Sequence, residues 1–248
     1  MRVGDSLKII GRTHTGLVRS RNEDAIGWRQ DLGLAVLADG MGGLRAGDVA
    51  SGEAVRSVLH ELGGRLLLGE RISGAMLVEA VRVANHRVWS LHQDRPGATM
   101  GTTIVVAAFT EDGRCLVTHV GDSRAYRLRD RILQQLTVDH SLVQQRVDDG
   151  ELSMEQARRA PDRNVITRAL GLEADIQLEH LEYALRPGDV LLLCSDGLSE
   201  MLSETLIAAE LMRLSEGALD AAACAEVLLQ SANAAGGADN ISVVLMQA

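Results

Sequence analysis

One ten-residue stretch, Leu34–Gly43, constrains this chain more than any other, because an apolar run meets a carboxylate and a group of glycines there. Leu34 to Ala38 are small or aliphatic and predict a buried strand that ends at Asp39. The glycines at 40, 42 and 43 allow the backbone to turn and to approach another group closely. A carboxylate at the end of a buried strand is costly without a partner. The stretch therefore predicts either an ordinary Asp-Gly turn or a metal site.

The same arrangement of an apolar run, an aspartate and a glycine occurs three more times. The further examples are Val190–Cys194 before Ser195-Asp196-Gly197, Leu116–Val120 before Gly121-Asp122-Ser123, and Asp239 between Gly236-Gly237-Ala238 and Ile241–Met246. One such site is typical of a turn. Four of them predict a group of carboxylates at the ends of neighbouring strands.

Composition excludes several classes of partner. A net charge of -9 and an aromatic content of 2% argue against a general nucleic-acid binder, which needs basic and stacking side chains. No apolar run approaches the length of a membrane span, and the N-terminus lacks the apolar segment of a signal peptide. We therefore expect a cytoplasmic protein with no membrane partner. An acidic chain still binds phosphorylated molecules where metal ions reverse the local field.

The periodicity along the chain predicts one α+β domain over residues 1–248. Apolar residues at helical spacing predict amphipathic helices at Ala46–Leu62 and Ile72–His92 and, later, at Glu204–Leu214 and Leu219–Ala232. Turn signals between apolar runs predict an antiparallel meander over residues 102–136. Residues 141–164 are charged and lack an aliphatic stripe, so we expect an exposed excursion there.

The types of residue available indicate which metal the aspartates would hold. The seven histidines are scattered, and none has the close spacing of a zinc motif. Carboxylates, carbonyls and water select hard ions, so the sequence predicts Mg²⁺ or Mn²⁺ rather than zinc or copper. Two such ions suit the hydrolysis of a phosphate ester, because they lower the pKa of a water and screen the phosphoryl oxygens. Arg19 would then clamp the phosphate with two hydrogen bonds.

Eight short segments, in the same order, give the chain a resemblance to a known family. The sequence resembles the metal-dependent Ser/Thr protein phosphatases of the PPM family (type 2C), in their compact bacterial form, over nearly its whole length. The matching segments are Val18–Ala25, Ala38–Gly43, Gly101–Thr103, Val120–Arg124, Thr137–Leu142, Ile166–Gly171, Ser195–Leu198 and Ala238–Ser242.

The resemblance implies a fold and a set of site residues. The implied fold is a four-layer αββα sandwich, with two central antiparallel sheets flanked by helices and a flap at residues 141–164 beside the active site. The implied site holds two ions, with a weaker third. The implied roles are a bridging ligand at Asp39, a carbonyl ligand at Gly40, ligands of one ion at Asp196 and Asp239, a ligand of the other at Glu23 with Asp24 behind it through water, a third-ion ligand at Asp122, and phosphate binding at Arg19.

The implied activity is hydrolysis of phosphoserine and phosphothreonine in proteins, by a monomer that opposes a bacterial Ser/Thr kinase. Three positions depart from the family pattern. Met41 stands where animal relatives have a proposed general-acid histidine, His14 where many have aspartate, and Ala160 where a flap histidine is frequent. Two alternatives remain open: a non-catalytic phosphate-sensing domain on the same fold, and a phosphatase of small molecules.

Overall fold

A computed structural model describes residues 7–42, 46–93 and 99–247 of the chain. Within these ranges there are eleven strands and seven α-helices. The strands are β1 Lys8–His14, β2 Asp24–Arg29, β3 Leu34–Gly42, β4 Met100–Thr102, β5 Ile104–Phe109, β6 Arg114–Val120, β7 Arg124–Arg129, β8 Ile132–Gln135, β9 Glu179–Ala184, β10 Val190–Cys194 and β11 Ile241–Gln247. The helices are α1 Ala46–Leu67, α2 Gly74–Gln93, α3 Leu142–Asp148, α4 Met154–Ala157, α5 Asp196–Ser199, α6 Glu204–Ser215 and α7 Ala221–Ala234.

The strands form two antiparallel sheets that pack face to face. One sheet has the order β1-β11-β10-β7-β8, and the other has the order β2-β3-β5-β6-β9 with β4 paired to β3. Aliphatic side chains fill three layers: one between the sheets, one under α1 and α2, and one under α6 and α7. The predicted αββα sandwich is therefore confirmed.

Strand β3 has apolar residues at consecutive positions because both of its faces are buried. Leu34 and Val36 pack toward α1 and α2, whereas Ala35 and Leu37 pack toward the other sheet. The prediction that the strand ends at Asp39 is wrong. Pairing continues to Gly42, since β4 supplies backbone partners to Gly40, Met41 and Gly42. Asp39 consequently stands inside a strand with a fixed backbone. Gly43 lies outside the described residues.

The predicted meander over residues 102–136 is also wrong. Strands β5 and β6 form a hairpin in one sheet, whereas β7 and β8 form a hairpin in the other. The chain crosses between the sheets at Gly121–Ser123, where Gly121 has a φ of +101° and its Cβ position would lie 2.6 Å from Thr103 Cγ2. A glycine is required at this crossing, and Asp122 lies in it.

The predicted excursion contains α3 and α4, which begin at the serine N-caps Ser141 and Ser153. Its ends meet where Leu142 N donates to Val165 O at 2.8 Å. Val143, Ala157 and Ala160 form a small apolar cluster of their own. In the described part of the chain, every helix is too short or too polar to cross a membrane.

Candidate metal centre

Five aspartates come together at one edge of the sandwich. Strand pairing places Asp24 on β2 directly opposite Asp39 on β3. Asp122 lies in the crossing between the sheets, Asp196 begins α5, and Asp239 precedes β11. All four of the other aspartates contribute to the repulsion that raises the pKa of Asp39. The tertiary structure thus brings together every aspartate that the sequence singles out.

The environment of these carboxylates opposes negative charge. Burial is the largest cause of the raised pKa values of Asp24, Asp39, Asp122 and Asp196, and neighbouring carboxylates add to it. The pKa of Asp24 is raised to about 6 and that of Asp122 to about 7. The pKa values of Asp39 and Asp196 are raised well above their usual range. At neutral pH the cluster therefore needs positive charge to ionise fully.

Two unsatisfied oxygens show where that charge fits. Oδ1 of Asp24 and Oδ1 of Asp196 are buried and have no hydrogen-bond partner. Oδ2 of Asp24, in contrast, accepts a hydrogen bond of 2.9 Å from Ser195 Oγ. A buried carboxylate oxygen without a partner is costly, and a hard cation with oxygen ligands would satisfy it. The possible metal ligands at this edge are carboxylate oxygens, which fit Mg²⁺ or Mn²⁺.

Glu23 and Gly40 lie next to each other at the same edge, against α1. A Cβ at Gly47 in α1 would lie 2.8 Å from Glu23 Cδ and 2.8 Å from Gly40 O, so any side chain there would fill the space beside both. Backbone contacts hold the pair together, since Gly40 N donates to Glu23 O at 3.1 Å. Ser51 Oγ also donates to Glu23 O, at 2.6 Å. The glycine in α1 therefore allows the helix to pack directly against the Glu23 carboxylate and the Gly40 carbonyl, both of which are possible metal ligands.

Arg19 lies at the mouth of the cluster. Its guanidinium donates to Asp239 Oδ2 at 2.7 Å, and its side chain is 55% exposed. Asp239 is the largest cause of the raised pKa of Arg19. The arginine is thus held beside the carboxylates while its outer face remains open to an anion from solvent.

Sequence reasoning missed a group of polar side chains behind Asp122. Ligand atoms of His119, His140 and Glu179 lie within 4.8 Å of one another. The two imidazole rings are stacked, with centroids 4.9 Å apart and planes 17° apart, so their nitrogen lone pairs do not converge on one point. His140 instead accepts a hydrogen bond from Gly121 N and donates its own backbone N–H to Gly121 O. The group braces the crossing that carries Asp122. No spacing signal in the sequence marks it.

Comparison with known proteins identifies the family. The family model described as protein phosphatase 2C matches residues 10–230. The chain belongs to this family. The Serine/threonine phosphatase stp of Listeria monocytogenes is 37% identical over 242 residues, which cover 95% of this chain and 94% of that protein. The predicted family is confirmed.

Solved structures agree with this assignment. The serine/threonine phosphatase PstP/Ppp of Mycobacterium tuberculosis superposes with a TM-score of 0.85 at 37% identity, and the match covers 97% of this chain and 98% of that one. The catalytic domain of PstP in complex with two manganese ions has a TM-score of 0.84 at 34% identity, with 97% of each chain covered.

One departure from the family pattern lies two residues after Asp39 in β3. Met41 is part of β3 and pairs with Gly101 on β4. Its thioether carries no proton that could be donated. In this member of the protein phosphatase 2C family, the position next to Asp39 and Gly40 therefore cannot act as a general acid.

Proposed function

We propose that the chain is a metal-dependent phosphatase that hydrolyses phosphoserine and phosphothreonine in proteins, with residues 1–248 acting as one catalytic domain. The observation that carries the proposal is the pair of unsatisfied oxygens, Asp24 Oδ1 and Asp196 Oδ1, in a carboxylate cluster next to Arg19. The names of the relatives, and the two manganese ions in the PstP structure, support it.

Each residue of the cluster has a part in holding cations. Asp39 is central: burial raises its pKa most, and the charges of Asp24, Asp122, Asp196 and Asp239 raise it further. We assign Asp39, Gly40, Asp196, Asp239 and Glu23 to a pair of Mn²⁺ or Mg²⁺ ions, Asp24 to a supporting position behind Glu23, and Asp122 with Asp196 to a weaker third ion. Divalent cations bound there lower the pKa of a water and offset the charge of a phosphoryl group.

Arg19 binds and orients the phosphate. Its guanidinium carries several N–H donors in a fixed plane, which match two oxygens of a phosphate dianion. Asp239 holds the side chain in place before substrate arrives, so little conformational entropy is lost on binding. Because Met41 cannot supply the proton for the departing serine or threonine oxygen, that proton comes from water.

The substrates are phosphoproteins, and we infer that the enzyme reverses the action of a Ser/Thr kinase, as a monomer in the cytoplasm. A manganese-dependent assay tests the activity. Purified protein is freed of metal with EDTA and then assayed on a phosphoserine peptide and on a sugar phosphate, with and without Mn²⁺ or Mg²⁺. We expect peptide hydrolysis only with added metal. Full activity in excess EDTA would contradict the metal assignment, and turnover of the sugar phosphate alone would assign a small-molecule substrate.

A further inference from the structure

Two aliphatic side chains stand in solvent directly before the phosphate-binding arginine. Leu17 is 66% exposed and Val18 is 71% exposed. They belong to residues 15–21, here termed the arginine loop because it carries Arg19. Single exposed aliphatic residues are common on protein surfaces and need no explanation. What distinguishes this pair is the rigid backbone that presents it.

Hydrogen bonds fix the arginine loop at both ends and in the middle. Leu17 N and Val18 N both donate to Gly237 O, at 2.7 and 3.3 Å. The side-chain amide of Asn240 donates to Thr15 O at 2.9 Å and to Arg21 O at 2.7 Å. Asn240 is itself only 5% exposed. One buried amide therefore closes the loop, and the exposed side chains cannot turn inward without breaking these bonds.

Close packing reinforces the hydrogen bonds. Gly16 has a φ of +80°, and a Cβ there would lie 2.1 Å from Asp239 O. Gly237 has a φ of +52°, and a Cβ there would lie 2.9 Å from Leu17 Cγ. The loop therefore rests directly on the segment that carries Asp239, which in turn pairs with Arg19. The two aliphatic side chains are held in a fixed position relative to the phosphate site.

We propose that Leu17 and Val18 form an apolar contact surface for the phosphoprotein substrate and select an aliphatic side chain close to the phosphorylated residue. The inference rests on the proposed function. A rigid surface binds without the cost of ordering a loop. Neighbouring residues of an extended peptide lie roughly 3.5 Å apart along the chain, so a residue one or two places from the phosphoserine comes within reach of Val18 and Leu17.

Peptide libraries test this selection. Phosphoserine peptides carry serine, leucine or glutamate in turn at each of the two positions before and the two positions after the phosphoserine. For each peptide, kcat/KM is divided by that of the same enzyme on a small aryl phosphate. We expect leucine to be favoured over serine by roughly tenfold at one or more positions, the size of a modest apolar contact. In the double variant Leu17→Ser/Val18→Ser, the ratio of the leucine peptide's value to the serine peptide's value should fall close to one.

Ile132→Ser is the matched control, because Ile132 is 69% exposed and lies far from the site. It pairs with Arg129 at the last residue of β7, whereas Asp122 lies just before the first. The control variant should leave the leucine preference unchanged. The proposal is overturned if the parent enzyme shows no leucine preference at any position, or if the double variant retains it. A preference for glutamate that Arg21→Ala removes would assign selection to charge and also overturn it. Absence of turnover of every phosphoserine peptide by the metal-loaded parent would instead contradict the proposed function.

Discussion

The molecule contains two kinds of buried or half-buried aspartate, and they differ in their partners. Asp139 receives hydrogen bonds from Arg124 on both carboxylate oxygens, at 2.6 to 3.0 Å. Asp189 receives bonds of 2.7 and 2.5 Å from Arg129 and is only 2% exposed. Asp39 and Asp196, in contrast, form no ion pair with any lysine or arginine that the structure describes.

This contrast separates carboxylates that an arginine of the protein neutralises from carboxylates that lack such a partner. A carboxylate matched by a guanidinium is satisfied by the protein itself, so it needs no ligand, and removing one partner leaves the other charge uncompensated. Burial raises the pKa values of Asp39 and Asp196 most, and repulsion from the neighbouring carboxylates raises them further. Such a cluster is complete only with added positive charge. The following predictions test the contrast.

The largest effect is expected at the centre of the cluster. Asp39→Asn should abolish phosphopeptide turnover and the tight binding of Mn²⁺, because the bridging charge is lost. The metal-free variant should unfold at the same or a higher temperature than the parent, since like-charge repulsion is relieved. Calorimetric metal titration and thermal unfolding in EDTA measure these outcomes. A variant that binds two ions tightly would show that Asp39 is not their shared ligand.

The opposite result is expected at a paired aspartate. Asp189→Ala leaves the partly exposed Arg129 without its carboxylate partner and should lower the free energy of unfolding by about 2 kcal/mol, between the values typical of exposed and of fully buried ion pairs. Urea unfolding measures this change. The number of Mn²⁺ ions bound by the folded variant should stay the same. A loss of bound metal without a loss of stability would show that Asp189 supports the metal site rather than the fold.

Asp122 tests whether all the aspartates of the cluster that lack an arginine partner have the same role. Asp122→Ala should keep two tightly bound ions while turnover falls roughly 10- to 100-fold, as for other residues that support a metal site from its periphery. Metal titration beside phosphopeptide kinetics measures both. Loss of the tight pair, or turnover at the parent rate, would contradict a separate role for Asp122.

The raised pKa values in the cluster also predict that the stability of the metal-free protein depends on pH. The folded-state pKa of Asp24, about 6, lies above the value of about 3.9 expected in the unfolded chain. The folded state therefore binds more protons, and the stability from this group is lost as the pH rises through 6. Thermal unfolding in EDTA from about pH 4 to about pH 7 should show this decline, and Asp24→Asn should reduce its slope. An unchanged slope would show that Asp24 does not carry the effect.

The smallest effect is expected in the flap. Arg158 and Arg159 are neighbouring charged residues of the flap, but of the two only Arg158 pairs with a residue outside it, at 3.3 Å from Glu204 on α6. Arg159 pairs with Glu155 inside the flap. Exposed ion pairs contribute about 0–1 kcal/mol. Arg158→Ala should change relative rates among phosphopeptides up to roughly fivefold, with Arg159→Ala as the control. Equal effects would contradict this distinction.

Much of the protein is determined locally and can be predicted from the sequence. Apolar runs next to Asp-Gly pairs identify the strands and the aspartates of the site, because burial and turn formation depend on neighbouring residues. The helices α1 and α2 follow from the spacing of apolar residues along one face. The family follows from the eight ordered segments. The roles of individual site residues stay predictions until they are measured.

The tertiary structure decided which groups meet across long distances in the chain. Asn240 clamps the arginine loop from 225 residues away at Thr15, and Ser195 bonds Asp24 from 171 residues away. Local sequence shows the same aspartate and glycine pattern whether or not an arginine arrives to pair with the carboxylate. Only folding brings Arg129 to Asp189 and leaves Asp39 among other carboxylates. The electrostatic character of each aspartate is therefore set by partners that are distant in the chain.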